Sequence, residues 1–167
     1  MTDVVGKLWG FCHVLRHDGM GYGDYIEQLT FLLFIKMTDE RGIDLPTYEE
    51  LNPQTREPEQ IPCDWPYLRK QSGTQLTTHY IKVLARLGEA HGILGDIFAG
   101  AQSRFTKPVN LQKLIGLIDE TEWTALGVDV KAAAFEGLLE KAAAEGKKGA
   151  GQYFTPRVLI QTMVHCP

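Results

Sequence analysis

The stretch Leu29-Thr30-Phe31-Leu32-Leu33-Phe34-Ile35 limits what this chain can become more than any other. Wound at 3.6 residues per turn, it is apolar on almost every side, so the helix that carries it must be covered on most of its surface. A short apolar run also suits a buried strand, but the pattern extends from Tyr25 to about Asp39 without flanking turns, which favours a helix. Asp24 stands where a cap belongs and Glu27 three residues later, in the arrangement of a capping box. The expectation is an all-α domain in which shorter amphipathic helices sheathe this central rod.

The neighbours supply such helices. Val4, Val5, Leu8, Trp9, Cys12 and Leu15 form a helical stripe up to Arg16, with Asp3 as its cap. Leu76, Tyr80, Val83, Leu84 and Leu87 form a second after Gly73. Ile93, Leu94, Ile97 and Phe98 suit a short turn packed inward, and Asn110 is placed to cap a helix of Leu111, Leu114, Ile115, Leu117 and Ile118 that Trp123 closes. Asp129 is placed to cap another, with Val130, Ala134, Phe135, Leu138, Leu139 and Ala142 on its face, running out at Glu145-Gly146. Between Arg41 and Pro66 the prolines Pro46, Pro53, Pro58, Pro62 and Pro66 forbid a long helix and predict an irregular excursion anchored by Trp65, Tyr67 and Leu68. No stretch alternates convincingly at two residues, so roughly five to six main helices are expected.

Composition excludes several classes. Hydrophobic content of 44% and charged content of 23% fit a soluble globular chain, and a net charge of −4 argues against general affinity for nucleic-acid phosphates while leaving room for a local basic patch. Cys12, Cys63 and Cys166 are widely separated and suggest neither a disulfide framework nor a zinc cluster. With no signal segment and an apolar run too short for a bilayer, a cytoplasmic protein without membrane contact is expected.

Chemistry-bearing motifs are scarce. Gly19-Met20-Gly21-Tyr22-Gly23 could cradle a nucleotide or S-adenosylmethionine, but it follows a helical stripe instead of a strand, and a plain inter-helix loop is the better reading. His13 and His17 stand four apart without an accompanying glutamate, which reads as a surface pair and not a metal site. Asp39, Glu40, Glu49 and Glu50 read as solvated, and Lys147 and Lys148 either touch a phosphate or remain linker charges. No residue is assigned a catalytic role and none a metal.

One run does carry a signature. Gly149-Ala150-Gly151-Gln152-Tyr153-Phe154-Thr155-Pro156-Arg157 reads as a hinge whose glycines free the backbone, followed by two rings and an expected helix start, with Thr155 as cap and Pro156 in the first turn. With Lys147-Lys148 before it and Phe135-Glu136-Gly137-Leu138-Leu139-Glu140-Lys141 further upstream, it resembles the junction of the modification subunit of type I restriction–modification systems. Leu8-Trp9, Leu15-Arg16, Leu32 to Asp39 and Ile61-Pro62 before Trp65 follow that family's N-terminal pattern in order.

The resemblance implies a helical N-terminal domain over 1–146, then a linker and the truncated start of an α/β methyltransferase domain over 147–167. It implies a full-length subunit that moves a methyl group from S-adenosylmethionine to the exocyclic amine of adenine in a recognised DNA site. Gln152, Tyr153, Phe154 and Thr155 are then candidate cofactor contacts, with the alternative that Tyr153 and Phe154 only anchor the hinge. The family's later glycine-rich loop and Asn-Pro-Pro-aromatic motif lie beyond Pro167, so this stretch alone is expected to bind cofactor weakly or not at all and to methylate nothing. Its implied task is assembly with the specificity subunit, a second modification subunit and the restriction subunit, closing the complex round DNA. A freestanding helical interaction module is the alternative.

Overall fold

The computed structural model describes residues 2–17 and 19–125. Six α-helices, one two-stranded antiparallel sheet and a closing 3-10 turn are found among the described residues. The expected helix from Asp129, the hinge, the helix after Thr155-Pro156 and the division at 146/147 all lie outside them. No described helix is long and apolar enough to cross a membrane.

Helix α1 (Thr2–His17) leads into α2 (Tyr22–Glu40), the rod expected from the apolar run. Every side chain from Gln28 to Ile35 is buried. Polar groups on such a helix must find partners inside the protein. Thr30 and Thr38 donate their hydroxyls to the carbonyls of Ile26 and Ile35, both at 2.7 Å. Gln28 donates to the Gln102 carbonyl at 2.9 Å and accepts from the Tyr80 hydroxyl at 2.7 Å. The Tyr25 hydroxyl donates to the Leu8 carbonyl at 2.9 Å, fastening α1 to the rod.

The expected capping box does not form. The N-cap of α2 is Gly21, in extended conformation, and the helix begins at Tyr22, so Asp24 and Glu27 are inside it. The turn is earlier because Tyr22 is itself buried and carries the Arg16 guanidinium 4.9 Å above its ring. Asp24 acts instead as a first-turn carboxylate and meets Arg104 at 3.8 Å. Similarly α1 starts at Thr2, ahead of Asp3.

The largest correction concerns the proline-rich stretch. Strands β1 (Thr47–Leu51) and β2 (Pro58–Pro62) pair antiparallel, Tyr48 opposite Ile61 and Glu50 opposite Glu59, so the domain is mostly helical but not all-α. The strands gave no alternating pattern because they are exposed on most positions of both faces, with only Tyr48 and Ile61 turned inward along their middles. Pro58 and Pro62 occupy the ends of β2, where a missing N–H is tolerated. Asn52 organises the connection, its Oδ1 accepting from the backbone N–H groups of Gln54 at 2.8 Å and Thr55 at 3.1 Å.

Helix α3 (Trp65–Lys70) is capped by Asp64, which accepts from Tyr67 N–H at 3.1 Å, with Pro66 in its first turn. Helix α4 (Gly73–Gly88) buries the expected stripe, and α5 (Ile93–Phe98) turns Ile97 and Phe98 inward but leaves Ile93 exposed. The Phe98 ring stacks 5.2 Å from Phe31 and meets Phe34 edge-on at 5.7 Å. This close α4–α5 turn needs glycine at 95, since a Cβ there would fall 1.9 Å from the Ala90 carbonyl oxygen. Helix α6 (Pro108–Asp119) starts at its proline with Lys107 as N-cap, which leaves Asn110 inside the first turn and not at the cap. The 3-10 turn Trp123–Ala125 follows, with Trp123 buried.

Candidate functional site

Gln152, Tyr153, Phe154, Thr155, Lys147 and Lys148 lie outside the described residues. Within them, Gly19-Met20-Gly21-Tyr22-Gly23 is the inter-helix turn the sequence favoured. Gly19 N–H and Met20 N–H donate to the Arg16 and Leu15 carbonyls, both at 3.0 Å, and Gly23 already belongs to α2, so these amides close α1 and are not arrayed for a phosphate. His13 meets the Tyr22 ring edge-on at 6.5 Å. Among the described residues no group of three or more His, Cys, Asp or Glu is placed to hold a metal ion. Burial pushes the Cys63 thiol up to about 11, which suits a packing residue better than a nucleophile.

Two polar arrangements remain. The first is a cleft of about 370 Å³ between β1, α3 and α4, lined by Tyr48, Glu50, Tyr67, Gln71, His79 and Lys82 among others. Tyr48 and Glu50, two residues apart, share one face of β1, and His79 and Lys82 are one turn apart on α4. The Tyr48 hydroxyl and His79 Nδ1 are 2.7 Å apart, the Tyr67 ring centroid lies 4.9 Å from the imidazole, and Lys82 pairs with Glu50. Burial, opposed by Glu50 and Asp64, holds His79 down at about 4, and burial with the Glu50 charge pushes Tyr48 up to about 12. Near neutral pH both groups are therefore uncharged, and His79 Nε2 is buried without a hydrogen-bond partner. Such a pair joins hairpin to helix; it is poorly matched to proton transfer at neutral pH.

The second arrangement sits where the described chain ends. Glu40, at the last turn of α2, was expected to be solvated, yet its side chain is only 8% exposed. Its Oε2 accepts from Trp123 N–H at 3.0 Å and its Oε1 from Thr124 N–H at 2.7 Å. Lys36 supports it at 3.3 Å and also reaches Asp119 at 3.8 Å. Asp119 in turn accepts from Trp65 Nε1 at 2.8 Å and pairs with Arg69 at 3.1 Å. Burial works against the Glu40 charge, but the two backbone donors and Lys36 outweigh it and leave its pKa below the ordinary value. No sequence pattern announces this carboxylate, because its main partners are backbone groups 83 and 84 residues away.

Residues 4–120 match the family described as HsdM N-terminal domain, and residues 127–166 match N-6 DNA Methylase. The EcoKI methylase subunit, a type I restriction enzyme component of Escherichia coli (strain K12), is 35% identical over 171 residues, covering 98% of this chain and 30% of that protein. The StySPI methylase subunit of Salmonella potsdam is 34% identical with the same coverage. The crystal structure of the EcoKI M protein superposes with a TM-score of 0.56 at 28% identity, over 77% of this chain and 25% of that one. The chain thus spans about 30% of the length of the curated relatives it matches. Since a single family accounts for 4–120 and its relatives align across nearly the whole chain, the protein belongs to the HsdM N-terminal domain family of type I restriction enzyme methylase subunits.

Proposed function

We propose that this chain is the assembly and DNA-clamping section of a site-specific adenine methyltransferase subunit of a type I restriction–modification system. The observation that carries the reading is the order of its parts. A helical stretch built on one buried rod and matching the HsdM N-terminal domain is followed, after residues 121–126, by a stretch matching N-6 DNA methylase. The full subunit transfers a methyl group from S-adenosylmethionine to the exocyclic amine of an adenine taken out of the base stack. Gln152, Tyr153, Phe154 and Thr155 contribute to the cofactor pocket there, the two rings flanking the cofactor and the Thr155 hydroxyl meeting it at a helix start.

The helical domain supplies shape-complementary faces to the specificity subunit, to a second modification subunit and to the restriction subunit, in the cytoplasm, and helps to close the assembly round DNA. It does no chemistry of its own. The test is to purify the full-length subunit, and a version lacking residues 2–125, each with its specificity subunit. Gel filtration and methyl transfer from labelled S-adenosylmethionine to a site-bearing duplex are then measured. The intact subunit is expected to form the complex and methylate, the shortened one to do neither; equal assembly and equal activity of the two would overturn the proposal.

A further inference from the structure

Residues 121–126 lie between the two family matches, and the Glu40 carboxylate grips the chain inside that gap. Two different things hold the 3-10 turn there. Burial of the Trp123 ring, with its Nε1 donating to the Ile118 carbonyl at 3.0 Å, fixes where the turn sits. The carboxylate adds something a buried ring cannot. By taking consecutive backbone N–H groups on its two oxygens it fixes how the peptide planes of Trp123 and Thr124 are rotated, and so the direction in which the chain runs on from this turn. Glu40 is itself fixed: α2 is the most buried helix described, and Lys36 and Asp119 tie its end to α3 and α6 through Trp65 and Arg69.

We infer that Glu40 is a positioning residue for methyl transfer. It touches neither cofactor nor DNA; through Trp123 and Thr124 it sets how the methylase segment is presented to DNA held by the assembled complex. The inference rests on the function proposed above.

The experiment uses the full-length subunit with its specificity subunit, S-adenosylmethionine and a site-bearing duplex, well below the melting temperature of every variant. Glu40→Gln keeps the side-chain shape but loses the charge and one acceptor. It is expected to lower kcat roughly tenfold or more, as slight misplacement of reacting groups does. The KM for S-adenosylmethionine should stay within about twofold, since the cofactor pocket is untouched. Thr124→Pro removes one of the gripped N–H groups from the other side and should give the same loss, and the double variant should be no worse than the poorer single one. Leu114→Ala, which opens the core of the same domain but removes none of the side chains that hold the turn, should lower the melting temperature and leave kcat unchanged. A Glu40→Gln complex with wild-type kcat, altered only in melting temperature as Leu114→Ala is, would overturn the inference. A wild-type complex that transfers no methyl group would overturn the proposed function instead.

Discussion

At the scale of single residues, two side chains behave in ways their sequence surroundings conceal. Glu40 follows Asp39 and precedes Arg41 in what reads as a solvated helix end, and its burial comes from a turn far along the chain. His79 occupies the same helical face as Tyr80 and Val83 but is joined to Tyr48 of the hairpin, a strand the sequence did not disclose. Because the fold lowers the His79 pKa from 6.5 to about 4, chiefly by burial, the unfolded chain binds more protons between those values. The His79 contribution to stability is therefore full above pH 6.5 and declines as pH falls toward 4. Denaturant melts of His79→Phe are expected to show a flatter profile than wild type across this window, and an NMR titration of the imidazole should find it neutral at pH 6; a slope as steep in the variant would show that other groups carry it.

At the scale of elements, what could be read from the sequence was what buries a regular face. The Leu8, Cys12 and Leu15 part of the α1 stripe, the α4 stripe and the saturated middle of α2 were plain from spacing, because burial of one side imposes a period of 3.6. The hairpin buries too little to impose any period, and helix starts at Tyr22 and Pro108 were set by packing and by proline and not by the nearest capping side chain. The same distinction predicts mutational cost. Leu33→Ala, in the rod at 1% exposure, is expected to destabilise the domain by about 2–5 kcal/mol in chemical denaturation. Glu50→Ala, which breaks a pair 44% exposed on the hairpin, should change stability by less than about 1 kcal/mol. A reversed ranking would mean that the hairpin and not the rod organises the fold.

At the scale of the whole molecule, the family was legible in ordered motifs spread from Leu8 to Arg157, whereas the candidate site was legible only in name. Gln152 to Thr155 lie beyond the described residues, and the junction that precedes them is built from contacts between α2 and the chain after α6, which no local pattern encodes. In the function proposed above, the domain is a block fastened internally by Tyr25, Gln28 and Glu40, with its outer helix faces turned to partners and its last turn to the methylase segment. Hydrogen–deuterium exchange on the full-length subunit, alone and with its specificity subunit, tests this most directly. The account predicts slow exchange through Gln28 to Ile35 in both states and new protection on outer helices within residues 2–125 upon assembly. Protection gained only beyond residue 125, with the helical domain unchanged, would contradict it.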